Sequence, residues 1–224
     1  MNGRDKGKGM EQPVVEVYEV EKSYGEQKVL DKVNLKLYKG NIYGLVGRNG
    51  SGKTVLMKCI LGLTRPDGGK IFVHGQEIGR DREFASDTGF LIETPGFFNS
   101  WSGYENLRYF MNIRNKADPG RLKECLKMVG LETAGEKKVG KYSMGMRQRL
   151  GIAQALMERP GLLILDEPMN GLDNHGVEKI RDMLMDLRDR GITILLASHN
   201  REDMEYLCDE EYEMDRGVLM KERV

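Results

Sequence analysis

Ile42-Tyr43-Gly44-Leu45-Val46-Gly47-Arg48-Asn49-Gly50-Ser51-Gly52-Lys53-Thr54 is the stretch on which the fold turns. From Gly47 onward it fits Gly-x-x-x-x-Gly-Lys-Ser/Thr, the phosphate-binding P-loop. Residues 42–46 read as a buried strand and 55–61 as a helix. A strand, a glycine-rich loop and a helix together place backbone N–H groups and a positive helix terminus around a polyphosphate. Glycine lets the chain approach the phosphates without a Cβ clash. Lys53 is placed to reach β- and γ-phosphates, and the Thr54 hydroxyl to bind Mg²⁺. The bland alternative, a chance match in a glycine-rich chain, is disfavoured by this strand–loop–helix context. Gly47, Arg48, Asn49, Gly50, Ser51, Gly52, Lys53 and Thr54 are therefore the expected nucleotide cradle.

Working outward, 224 residues suit one domain, or one domain with a subdomain, and bury a substantial core. Charged residues make up 31%, and 35 basic residues balance 35 acidic ones, which gives no electrostatic case for nucleic acid as main partner. Cys59, Cys125 and Cys208 lack metal-ligand spacing and fit packed, reduced thiols in a reducing compartment. No apolar run approaches the roughly 20 residues that span a bilayer. Residues 1–12 are polar and glycine-rich, unlike a signal peptide, and are expected to form a disordered tail. Met10 is an alternative start.

The rest of the chain is organised around that loop. Residues 14–20 and 33–37 alternate apolar and polar positions as half-buried strands do, and 70–73 reads as another short strand. These predict a small antiparallel layer beside the nucleotide edge. A short apolar strand follows at 89–92. Residues 104–115 carry helical spacing, and Asp118-Pro119 caps a helix lined by Leu122, Cys125, Leu126 and Val129. Residues 143–158 form a third helix. An inserted helical subdomain is thus expected at about 95–158, within a domain covering 13–224. Residues 162–165 are four apolar residues in a row, as in a strand covered on both faces, and 192–197 reads as the next buried strand. Between them a helix capped by Asp173 or Asn174 carries Val177, Ile180, Leu184 and Leu187. A helix at 201–208 and a hairpin turning at Asp215-Arg216-Gly217 close the chain. Alternating strands and helices predict an α/β fold, a P-loop NTPase core with a mainly parallel sheet.

Leu162-Leu163-Ile164-Leu165-Asp166-Glu167-Pro168 places two carboxylates where a buried strand runs out, the ligand edge of an open parallel sheet. There Asp166 can hold Mg²⁺ and Glu167 can act as general base toward water; a plain strand-ending turn is the alternative. Ser198-His199 ends the next strand, so His199 arrives at the same edge, where it can contact the γ-phosphate and steady the water or Glu167.

Tyr142-Ser143-Met144-Gly145-Met146-Arg147-Gln148-Arg149 opens a helix ahead of the Asp166 strand, with Ser143 as N-cap. Here the chain resembles the ABC ATPases, the nucleotide-binding subunits of ABC transporters. Their Leu-Ser-Gly-Gly-Gln signature maps onto 142–146 with Ser143 and Gly145 matching and the other three positions differing. The resemblance extends from about 14 to 224. Met169-Asn170-Gly171-Leu172-Asp173 looks like the family's D-loop, His199 its switch histidine, and Tyr24 the aromatic that stacks on adenine. The resemblance implies a head-to-tail pair of ATPase subunits, identical or different, with each ATP held between one P-loop and the Ser143 helix of the other. It also implies a separate transmembrane permease and a place at the cytoplasmic face of the membrane.

The main departure is Glu93, where the family usually has a Gln that touches Mg²⁺ and water and feels the membrane subunit. A carboxylate there should coordinate the metal more strongly. The segment Ile92-Glu93-Thr94-Pro95, with the Ser-x-Gly-Met signature, resembles the subgroup that exports or protects against peptide antibiotics such as bacitracin and lantibiotics. A solvated loop carboxylate is the alternative for Glu93. Phe97, Phe98 and Trp101 suit either a docking surface or subdomain packing. The competing function is a non-transport ABC ATPase on a soluble macromolecule, but the long coiled coils or second ATPase domain of such members are missing. Asn115-Lys116-Ala117-Asp118 matches the guanine-specificity letters of GTPases, yet it lies before a helix cap rather than at a core strand end.

Overall fold

The computed structural model describes residues 12–93, 96–114 and 116–221. The expected tail, apart from Gln12, lies outside these residues, as do Thr94, Pro95 and Asn115.

The elements run β1 (Val15–Tyr24), β2 (Gln27–Leu37), β3 (Ile42–Val46), α1 (Lys53–Leu61), β4 (Gly68–Val73), β5 (Gln76–Glu77), β6 (Thr88–Leu91), α2 (Gly103–Arg114), α3 (Pro119–Met128), α4 (Met144–Leu156), β7 (Leu162–Asp166), α5 (Asn174–Asp189), β8 (Thr193–Ala197), α6 (Arg201–Leu207), β9 (Glu210–Asp215) and β10 (Val218–Lys221). Among the described residues they form two sheets. A four-stranded antiparallel sheet has order β2-β1-β4-β5, and a six-stranded sheet has order β10-β9-β3-β8-β7-β6. In the larger sheet only β10 runs antiparallel; β9, β3, β8, β7 and β6 are parallel to one another. The expected α/β core with its antiparallel layer is the observed architecture.

Strand periodicity explains how this sheet serves two cores. Leu163, Leu165, Ile194, Leu196 and Ile42 face one core, which they share with α2–α6. Their neighbours Leu162, Ile164, Leu195, Ala197, Tyr43 and Leu45 face the other, shared with α1 and the antiparallel sheet. Alternate side chains point to opposite faces, so a strand apolar at every position must be covered twice. Full burial of one such Leu contributes about 2 kcal/mol.

Several boundaries differ from the sequence reading. β1 and β2 form one long hairpin around the 25–26 turn, extending well past the alternating stretches; register shifts along β1 break the simple pattern. α1 begins at Lys53 with Gly52 as its N-cap. α4 starts at Met144, with the Ser143 side chain accepting from Met146 N as cap. β9 pairs in parallel with β3 and antiparallel with β10, so the closing hairpin is part of the main sheet. Asp118 is committed to capping α3 through the backbone N–H groups of Gly120 and Arg121, which removes it as a guanine reader.

α5 and α6 are tied together. The Arg181 guanidinium donates to Asp203 at 2.9 and 2.6 Å and to Glu202 at 3.2 Å, and it lies 5.1 Å from the Tyr206 ring centroid. Asp203 is 2% exposed. The three cysteines are free, and burial pushes the thiols of Cys59 and Cys125 up to about 11 and that of Cys208 to about 12. They are therefore packing groups rather than nucleophiles.

Candidate active site

The parallel sheet delivers three strand ends to one edge. β3 runs into the P-loop, β7 ends at Asp166, and β8 ends two residues before His199. At Gly47 a side chain is sterically excluded, since its Cβ would lie 2.3 Å from the Met214 carbonyl oxygen of β9. No side chain caps α1, so the amides of its first turn are left for an anionic ligand.

Lys53 is nearly buried, and its ammonium donates to the carbonyls of Gly47 at 2.6 Å and Arg48 at 3.1 Å. The Ser51 hydroxyl oxygen is buried without a hydrogen-bond partner among the described residues, whereas Arg48, Asn49 and Gly50 are exposed. The Thr54 hydroxyl donates to Asp166 Oδ2 at 2.5 Å across the junction of α1 and β7. A cavity of about 330 Å³ is lined by Val29, residues 49–55, Asp166 and Glu167. An orphaned hydroxyl, uncapped helix amides and a lysine fit a polyphosphate. The Thr–Asp pair offers hard oxygen donors, which suit a Mg²⁺ ion that keeps waters and takes phosphate oxygens as its remaining ligands. No cluster of three or more His, Cys, Asp or Glu occurs among the described residues.

Glu167 has φ 49°, an uncommon conformation for a side chain of its size. Such a residue costs about 1–3 kcal/mol and persists only where its surroundings fix it. Its N–H donates to Ala197 O at 2.8 Å. Its carboxylate lies 2.9 and 3.0 Å from His199 Nδ1. An ionised carboxylate only accepts, so Nδ1 carries the proton in this pair and Nε2 is left to face a ligand.

Other expected residues lie elsewhere. Glu93, just past β6 and with φ 62°, is mostly exposed and forms an ion pair with Lys58 of α1. It does not line the cavity. Tyr24, at the end of β1, presents an exposed ring with the Lys22 ammonium 5.4 Å from its centroid. Ser143 is exposed at the start of α4, its hydroxyl accepting from Met146 N at 3.2 Å. Gly145 is buried because a Cβ there would meet Gly171 O at 2.6 Å, so its smallness also serves contact with the 169–173 loop. Asp173 caps α5, accepting from Gly176 N at 2.9 Å. Sequence reasoning missed Gln148, whose Nε2 donates to Glu167 O at 2.9 Å. Nothing in residue spacing marks it; only its place on α4, a turn beyond Ser143, could have drawn attention.

Comparison with known proteins fits this geometry. A family model described as ABC transporter matches residues 30–170. The chain belongs to the ABC transporter family. It is an ATP-binding, ATP-hydrolysing subunit of that family. It is 42% identical over 211 residues to the bacitracin transport ATP-binding protein BcrA of Enterococcus faecalis, covering 93% of this chain and 68% of that protein. It is 36% identical over 196 residues to the lantibiotic transport ATP-binding protein SrtF of Streptococcus pyogenes, covering 88% and 84%. Among solved structures, the dimeric post-hydrolysis state of the ATP-binding cassette MJ0796, bound to ADP and Pi, superposes with a TM-score of 0.83 at 25% identity, covering 94% of this ABC ATPase and 99% of that chain. No helix among the described residues is long and apolar enough to cross a membrane.

Proposed function

We propose that this ABC ATPase powers export of a peptide antibiotic through a separate transmembrane permease, working at the cytoplasmic face of the membrane as one of two head-to-tail ATPase subunits. The observation that carries the hydrolytic half is the convergence of Lys53, the Thr54–Asp166 pair and the His199–Glu167 pair on one sheet edge. The names of BcrA and SrtF support the substrate class, and the MJ0796 dimer supports the pairing.

In this reading Tyr24 stacks on adenine, and residues 47–52 wrap the phosphates with backbone N–H groups. Lys53 exchanges its two carbonyl partners for phosphate oxygens. Thr54 and Asp166 are the protein groups that would hold Mg²⁺, which supplies charge neutralisation across the β- and γ-phosphates when bound. Glu167 accepts a proton from the attacking water. His199 keeps that carboxylate in place and directs Nε2 toward the γ-phosphate. Ser143 and Gly145, at the start of α4, and Asp173 face the nucleotide of the second subunit. ATP favours the closed pair because only that state grips the γ-phosphate from both sides, and hydrolysis releases it.

Purified protein should hydrolyse ATP in preference to GTP. Co-expressed with its permease, it should raise the bacitracin concentration that cells tolerate. A strict GTP preference would overturn the ATPase assignment; unchanged tolerance to bacitracin and to lantibiotics would overturn the substrate class.

Glu93, now paired with Lys58, would be a third protein group able to hold Mg²⁺ beside Thr54 and Asp166 if that pair opened in the nucleotide-bound state. Glu93→Gln should therefore raise the Mg²⁺ concentration for half-maximal ATPase severalfold, because an amide is the weaker ligand. An unchanged Mg²⁺ titration together with unchanged transport would return Glu93 to a solvated surface role.

A further inference from the structure

The general base sits in a backbone conformation that Glu adopts rarely, with φ 49°, and its peptide is held from three directions. Its N–H is tied to Ala197 O of β8 at 2.8 Å. Its carbonyl accepts from Asn170 N at 3.1 Å and from Gln148 Nε2 at 2.9 Å. The first two bonds come from the neighbouring strand and the following turn. The third is a side chain of α4, the helix whose capped N-terminus begins at Ser143.

The same helix touches the same segment a second time. Gly145 packs so closely on Gly171 that a Cβ would approach Gly171 O to 2.6 Å, and a Cβ on Gly171 would lie 2.2 Å from Met144 Cε. The first turn of α4 and residues 167–171 are therefore one packed block, with Gln148 as its hydrogen-bonded end. A shift of α4 by even an ångström stretches the Gln148 bond past useful length and loosens one of the restraints on Glu167.

We infer that Gln148 is a positioning residue that holds Glu167 in its left-handed conformation and so links the first turn of α4 to the general base of the same chain. The inference rests on the ATPase reading of Glu167. It goes further in making each subunit's base responsive to what its own α4 grips, namely the nucleotide bound by the second copy.

The test compares steady-state ATPase of the wild type with Gln148→Met and Gln148→Glu, which keep length but remove the donor, and with Gln148→Lys, which restores one. Met and Glu variants should lose about tenfold in kcat with KM for ATP within twofold of wild type. Their Hill coefficient for ATP should fall toward 1, at unchanged melting temperature. The Lys variant should recover to within about threefold of wild type. In a Glu167→Gln background, Gln148→Met should cost nothing more, since residues acting through one group are not additive. A Gln148→Met enzyme with wild-type kcat overturns the inference. So does a raised KM at preserved kcat, a Lys variant as slow as Met, or full additivity with Glu167→Gln. Wild-type protein without ATP turnover would instead sink the ATPase reading itself.

Discussion

Glu167→Gln should lower ATP turnover by about 10³-fold, within the 10²–10⁴ that general-base catalysis contributes, while ATP binding stays close to wild type. The amide is isosteric, and neither Lys53 nor the Thr54–Asp166 pair depends on the Glu167 charge for its contacts. With hydrolysis stopped and the γ-phosphate retained, the closed pair should accumulate. Size-exclusion chromatography with ATP should then shift the variant to dimer mass while wild type stays mostly monomeric. The backbone restraints at 167 are made by main-chain atoms and Gln148, so the variant should melt within a few degrees of wild type. Turnover above a tenth of wild type would remove Glu167 as the base and leave Asp166 or His199 to be examined for that role.

Lys53→Ala should weaken ATP binding by about 10²-fold, the result of losing roughly 3 kcal/mol of charge-assisted contact to phosphate. Isothermal titration with ATP and with ADP separates the parts of this loss. The larger effect is expected for ATP, because the γ-phosphate is the extra group within reach of the ammonium. Lys53 is 6% exposed and bonded to two loop carbonyls, so its removal also frees those carbonyls in the empty protein. Lys53→Arg is the control: it keeps the charge but forces a larger head into the same space, and should not restore affinity. Equal affinities for wild type and Lys53→Ala would contradict the P-loop assignment.

The parts of this molecule legible from sequence share a physical property: their determinants are local. Gly47 to Thr54 is a contiguous motif, and the strand at 162–165 announces two-sided burial by lacking any polar position. Asp166, Glu167 and His199 follow at strand ends, so their convergence needed only the assumption of parallel pairing, which β7 and β8 satisfy. What stayed hidden depends on long-range partners. β9 pairs with β3 from more than 160 residues away, as Tyr43↔Glu210 shows, and no local pattern distinguishes this from a free hairpin. Gln148 reads as one more polar residue on a helix until the fold brings Glu167 beside it. The sequence neighbours of Glu93 point to the metal, yet its partner is Lys58 of α1, which only the tertiary fold brings beside it.

The Arg181–Asp203 tie has a consequence for how this molecule opens locally. Asp203 is 2% exposed, and breaking a buried pair of this kind costs about 3–5 kcal/mol because one charge is left without a partner. α5 begins directly after Asp173 and α6 directly after His199 and Asn200. The tie should therefore make the two helices open together rather than fray in turn, which hydrogen exchange at equal protection in α5 and α6 would show. The segments in front of them, one carrying a cap and the other a ring nitrogen, hang from a shared rigid anchor, so an excursion that exposes one exposes both.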